Sequence, residues 1–284
     1  MTDKPSTATG YESGKVELVK ATCLHIAGVL GDWIDDFVIV GGLVPSLLVD
    51  QHALPSGVPP HVGTMDLDIG LEVALLDEER YQAVTERLRG AGFSPDRNAQ
   101  GNMTRQRWKL DAVESITLDF LIPPSSPSDQ GGRLRNIEPD FAALILPGLD
   151  LAFLDRERVD LTGESIMGGR GSRPINVCGP GAFVVLKALA FANRQANKDA
   201  YDLHYVVNGY GSGYRDVAAR LGPLLTSSVA QRAVEILRSD FIDPEGFGPW
   251  ACARFLGDAT NVDLRADVAG IVSAFIDALD GFIA

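Results

Sequence analysis

The hydrophobic pattern changes period once along these 284 residues, near Gly179-Pro180, and that change limits the folds open to the chain. Before it, helical spacing alternates with short β-rich runs; after it, apolar positions keep a helical period to the end. Val16, Val19, Cys23, Ile26 and Leu30 predict an amphipathic helix from Ser13 to Gly31. Phe37–Val40 reads as a strand, Gly41-Gly42 as a turn and Leu43–Val49 as a helix. Leu54–Gly63, with Pro55, Pro59 and Pro60, reads as a loop. A strand over Thr64–Val73 and a helix over Leu76–Gly90 follow, then strands over Thr104–Leu110 and Ser115–Ile122. Extended segments are expected near Asp150–Asp155 and Arg173–Cys178. Pro180 suits the first turn of a helix running to Arg194. Later helices break near Asn208–Gly213, Asp243–Pro249 and Thr260-Asn261. The expected class is α+β: a flexible tail over 1–12, a mixed-sheet domain over 13–179 and an all-helical domain over 180–284.

Charge narrows the partners. Twenty-five Lys and Arg against 38 Asp and Glu leave a net charge of −13, which argues against sequence-blind coating of DNA. A nucleic acid gripped by one local basic surface stays open. Arg87, Arg89, Arg97, Arg105, Arg107 and Lys109 form such a stretch, with Asp96 the one acid among them. Trp108 lies inside it, a stacking platform for a base or, as the better reading, a core side chain. No apolar run approaches the roughly 20 residues of a membrane span. The first residues are polar, without the apolar stretch of a signal peptide. Cys23, Cys178 and Cys252 are odd in number and far apart, forming neither a disulfide framework nor a zinc site. A cytoplasmic protein is expected.

The densest chemistry lies in Thr64-Met-Asp66-Leu-Asp68. On a strand, residues two apart share a face, so both carboxylates project together. Like charges that close need a cation between them, and Mg²⁺ accepts carboxylate and phosphate oxygens. A pair alone also suits a solvated strand face or a glycosyltransferase. Asp119 adds a third acid inside the apolar run Ile116–Ile122, where an unpartnered carboxylate is costly. Three carboxylates on neighbouring strands can hold two metals for in-line attack on a nucleoside triphosphate. Gly41-Gly42 lets backbone N–H groups approach an anion, and Ser46 falls one turn into the next helix. A tight strand–helix turn is the plainer explanation. Lys187, Arg194 and Lys198 share a face if their helix continues, with Asp202 four residues beyond Lys198. Surface salt bridging explains them too, yet Lys187 sits in a helix that reads as buried. His25, His52, His61 and His204 show no metal-ligand spacing.

Gly41-Gly42, Thr64-x-Asp66-x-Asp68, Asp119, Lys187 and Lys198-Asp199-x-x-Asp202-Leu203 together resemble the nucleotidyltransferase toxins of the AbiEii family, within the polymerase-beta-like nucleotidyltransferases. The likeness runs from about Phe37 to Val207. One departure is visible: Val62-Gly63 stands where the family often has a basic residue before the Thr-x-Asp. The resemblance implies a polymerase-beta-like domain that moves a nucleotide from an NTP, commonly to the 3′ end of tRNA. It also implies Mg²⁺ or Mn²⁺ as cofactor and a cognate antitoxin as partner. Asp66, Asp68 and Asp119 would then hold the metals, with Asp119 helping to deprotonate the attacking hydroxyl. Gly41, Gly42, Ser46 and Thr64 would bind the nucleotide, with Lys187, Arg194 and Lys198 facing its phosphates. Asp202 would position Lys198 or touch the nucleotide, and Asp199 would cap or pair locally. Two rivals stand beside this reading. One is the same transfer to a small-molecule hydroxyl such as an aminoglycoside, and the other a non-catalytic, partner-binding module of the same fold.

Overall fold

A computed structural model describes residues 5–12, 14–51, 53–54, 58–71, 78–98, 100–110, 113–126 and 128–283. Ser13, His52, Pro55, Val73 and Leu76, named in the sequence reading, lie outside the described residues. The chain is α+β with a mixed sheet and several helices, and it divides into two compact units.

The first unit takes in 14–43 and 64–177. It opens with α1 (Lys15–Leu30) and β1 (Phe37–Val40), followed by β2 (Asp66–Leu71), α3 (Glu78–Gly90) and β3 (Phe93–Arg97). Then come β4 (Met103–Leu110), β5 (Val113–Ile122), β6 (Leu134–Glu138) and β7 (Phe141–Ile145). It closes with the short α4 (Leu151–Leu154), β8 (Arg156–Glu164) and β9 (Arg170–Cys178). Among the described residues these nine strands make one sheet in the order β3-β4-β5-β2-β1-β9-β8, with β7 on β5 and β6 on β7. β2 runs antiparallel to β1 and parallel to β5. The alternation foreseen in the sequence is present. Leu67, Ile69, Trp108, Leu118 and Phe120 are buried on one face, while Asp66, Asp68, Thr117 and Asp119 share the other. Trp108 is a core residue, its ring edge-on to Phe120 and Phe141 at 6.3 and 5.8 Å.

The structure departs from the sequence reading in this unit at several places. Asp150–Asp155, expected to be extended, holds α4, and the strand begins one step later at Arg156. Leu149, Leu151 and Ala152 are all buried in that turn, so packing overrides the local preference. β3, β6 and β7 were not foreseen. Pro95 lies inside β3, where it demotes a strand in any sequence scan, yet β3 is the terminal strand of the sheet order and tolerates it.

The second unit takes in the described residues of 3–13, 44–63 and 178–284. Besides α2 (Val44–Leu48) it holds α5 (Pro180–Arg194), α6 (Asn197–Gly209), α7 (Tyr214–Leu221), α8 (Ser228–Asp240), α9 (Phe247–Phe255) and α10 (Val262–Ile283). α5 packs on α6, α7 and α8, and a Cβ placed on Gly181 would stand 2.7 Å from the backbone of Arg220 and Leu221. Residues 5–12, expected as a flexible tail, belong to this unit, where the Tyr11 ring meets Phe255 edge-on at 5.8 Å. Residues 44–63 also cluster here rather than with the sheet. Gln51 Oε1 explains part of this, accepting from the Tyr205 hydroxyl of α6 at 3.1 Å and from the His61 backbone N–H at 2.9 Å. Among the described residues, no helix is long and apolar enough to cross a membrane.

Candidate functional site

In the first unit, parallel pairing of β2 and β5 sets Asp68 opposite Asp119 and Asp66 opposite Thr117. The three acids, two apart on one strand and one on the next, therefore share a face. The Thr117 hydroxyl donates to Asp66 Oδ1 at 2.8 Å and fixes its rotamer. Thr64 is buried and gives its hydroxyl to the Asp66 carbonyl at 3.1 Å, pinning the entry to β2 and leaving that proton committed to the backbone. Gly41 has φ +72, and a Cβ there would lie 1.9 Å from Asp68 Oδ2. The turn after β1 thus presses bare backbone against the carboxylate, which only glycine permits. That is the physical content of the Gly41-Gly42 signal.

The sequence reading missed the role of Arg107. On β4 it stands opposite Asp119, and its Nε and Nη2 donate to Oδ1 and Oδ2 at 2.7 and 2.6 Å. The bonds to Asp119 hold the guanidinium pKa above its ordinary value despite partial burial, and the charges of Asp119, Asp66 and Asp68 add to them. Arg107 is therefore the resident counter-charge of the carboxylate face. Asp66 and Asp68 supply the hard oxygen donors that suit Mg²⁺. The guanidinium fork takes one lone pair on each Asp119 oxygen, so an ion at Asp119 would use the remaining lone pairs and lie beside a fixed cation. Among the described residues, no three His, Cys, Asp or Glu side chains converge on a common ion position.

In the second unit, α5 ends at Arg194 because Gln195 turns left-handed at φ 50. The single continuous helix imagined for Lys187, Arg194 and Lys198 is therefore absent, but α6 folds back and its carboxylates collect the cations. Lys187 Nζ donates to Asp199 Oδ1 at 3.0 Å and Asp202 Oδ2 at 2.7 Å. Lys198 Nζ donates to both oxygens of Asp202 at 2.7 and 2.8 Å, and Arg194 to both oxygens of Asp199 at 2.7 and 2.8 Å. Lys187, Asp199 and Asp202 are buried. Burial alone would raise the Asp202 carboxyl, but Lys187, Lys198 and the His61 bond hold it well below the usual carboxylate range. Burial brings the Lys198 ammonium down to about 8, with Asp202 opposing.

His61 completes this network, a residue the spacing argument had set aside. Gly63 N–H donates to its Nδ1 at 3.0 Å, so Nδ1 is an acceptor and the Ser46 hydroxyl, 3.1 Å away, donates to it as well. Nε2 then carries the proton and donates to Asp202 Oδ1 at 2.9 Å. Ser46, assigned to the triphosphate by resemblance, spends its hydroxyl here. The only advance sign was a histidine two residues before a glycine in a Pro-rich loop, which says nothing about its partner.

Neither the models of known protein families nor the curated proteins contain a match to this chain.

Burial holds the His61 pKa down to about 4 against 6.5 for an ordinary histidine, with the Asp202 bond partly opposing. The unfolded chain therefore binds the extra proton between those values, and stability falls as pH drops through that window. The expected loss from His61 is about 3 kcal/mol, complete near pH 4. Thermal unfolding across pH 4–7 checks it: the slope should be shallower in His61→Gln, and an unchanged slope would assign the acid sensitivity elsewhere.

The basic stretch between Arg87 and Lys109 is largely spoken for. Arg87 donates to the Leu30 carbonyl at 2.6 Å and lies 4.0 Å over the Trp33 ring. Arg89 grips both oxygens of Asp140 at 2.7 and 2.8 Å, Arg97 donates to the Gly101 carbonyl, and Arg107 holds Asp119. Four of the six cations thus have partners within the unit, and Trp108 is in the core.

Proposed function

We propose that this chain is a metal-dependent nucleotidyltransferase of the polymerase-beta-like kind, moving a nucleotide from an NTP to the 3′ end of tRNA as the toxin of a toxin–antitoxin pair. The observation that carries the reading is the register of Asp68 on Asp119 in parallel strands, with Asp66 on the same face and the Gly41 turn closed against Asp68. Asp66 and Asp68 would hold a divalent ion, which when bound supplies charge neutralisation for the phosphates. The Gly41-Gly42 backbone would receive phosphate oxygens beside those carboxylates. The acceptor hydroxyl attacks the α-phosphorus and gives its proton to a carboxylate of this face or to water, the bond from that phosphorus to its bridging oxygen breaks, and pyrophosphate leaves. Thr117 keeps Asp66 in its rotamer through the bond at 2.8 Å. The antitoxin and tRNA are carried by the resemblance in sequence. Cys23, Cys178 and Cys252 are buried and in no disulfide, which suits a reducing cytoplasm.

Incubation with Mg²⁺, each α-labelled triphosphate in turn and total tRNA tests the reading. Label is expected on tRNA with the intact chain and none with Asp66→Ala. A second reading is transfer to the hydroxyl of a small cationic acceptor such as an aminoglycoside. It is favoured by the net charge of −13 and by the engagement of most of the basic stretch. Label that moves to aminoglycosides but never to tRNA would select it. No transfer to either, with triphosphate binding lost as well, would sink both and leave the non-catalytic module.

A further inference from the structure

We propose that the helical unit holds a binding site for a small arylalkylamine, with the ammonium group seated between His204 and Asp267. The site lies within that unit and does not depend on the nucleotidyltransferase reading.

On α6, Tyr201, His204 and Tyr205 are three and four residues apart and share one face. That face borders a cavity of about 210 Å³, which Leu256 and, on α10, Leu264 and Asp267 also line. An apolar cavity of about 150 Å³ admits benzene, so one aromatic ring with a two-carbon arm fits here. Both tyrosine hydroxyls are engaged elsewhere: Tyr201 accepts from the Val62 N–H at 3.2 Å, and Tyr205 donates to Gln51 at 3.1 Å. Their rings are what they offer a guest.

His204 breaks the apolar lining. Its Nε2 is buried and has no hydrogen-bond partner among the described residues, a costly state for a ring nitrogen. Asp267 Oδ2 stands 3.9 Å away, beyond bonding reach. Burial holds the His204 pKa down to about 4, with Asp267 opposing, so the ring is neutral near pH 7 and repels no cation. With its proton on Nδ1, it presents Nε2 as an acceptor. One ammonium about 2.8 Å from each atom spans a gap of 3.9 Å and satisfies both acceptors. An anion would meet the Asp267 charge, and a purely apolar guest would leave Nε2 unpaired. The Asp267 side chain is 61% exposed, free to change rotamer and admit the amine to the enclosed nitrogen.

The test is a calorimetric titration of the full chain near pH 7 with 2-phenylethylamine, and with 2-phenylethanol as its neutral counterpart. One amine should bind per chain, more tightly than the alcohol. Asp267→Asn should weaken the amine by about 5-fold, the upper worth of an exposed ion pair, and leave the alcohol unchanged. Leu264→Trp fills the cavity and should abolish binding of both. No saturable binding of the amine, equal affinity for amine and alcohol, or full affinity in a folded Leu264→Trp chain would overturn the proposal. Should Leu264→Trp fail to fold, the ring C–H signals of His204, assigned by His204→Gln, decide in the wild-type chain. They should move as the amine is added while those of His25 stay, and a His204 signal that stays in place overturns the site. None of these outcomes bears on nucleotide transfer.

Discussion

Asp202→Asn lowers the stability of the chain by about 3–5 kcal/mol, the range for breaking a buried ion pair from one side. Asp202 is fully buried and accepts from Lys187, Lys198 and His61 at 2.7 to 2.9 Å. An amide of the same shape removes the charge while both ammonium groups stay. Lys187 keeps its bond to Asp199, but both carboxylate bonds of Lys198 end on Asp202. The cost is therefore an uncompensated cation, larger than the net value of the bonds themselves. Chemical denaturation measures it, and a loss under about 1 kcal/mol would mean that Lys198 finds water instead. The result also governs how an activity assay is interpreted. A dead Asp202 variant says nothing about nucleotide contact unless its fold is intact at the assay temperature.

Gly41→Ala should cut the proposed transfer by roughly 100-fold or more while the fold survives, since misplacing a reacting group by about 1 Å has that effect. At φ +72 an alanine is strained by about 1–2 kcal/mol. The larger consequence is local. The new methyl would lie 1.9 Å from Asp68 Oδ2 and 3.0 Å from Asp68 Cβ, so the carboxylate must turn away from its neighbours. Mn²⁺ affinity should fall in parallel with transfer, and thermal unfolding should move little. Unchanged affinity in a folded Gly41→Ala chain would show that Asp68 is not where the ion is held.

Local periodicity was enough to place Asp66 and Asp68 on one strand face and to mark the helix that carries Lys187. It could not say what those groups face. β4 and β5 show why: counted back from the Leu110–Val113 pair, Arg107 would stand opposite Ile116. An irregularity between Lys109 and Leu110 shifts the ladder, and Arg107 meets Asp119 instead. A register shift of this kind is set by packing across the sheet and leaves no period in the sequence. The lysines show the same limit, because Gln195 ends their helix and hands Lys187 and Arg194 to carboxylates of the next one.

By itself, then, the amino-acid sequence determined the α+β class, the position of the helical part and the identity of the carboxylates on β2 and β5. Each follows from side chains repeating every two or 3.6 residues, a property of neighbours along the chain. Only the tertiary structure decided that Asp119 belongs to Arg107, that Lys187 and Lys198 share Asp202, and that residues 44–63 join the helical unit through His61 and Gln51. Those choices depend on which charges end up buried together, and burial is a property of the packed chain.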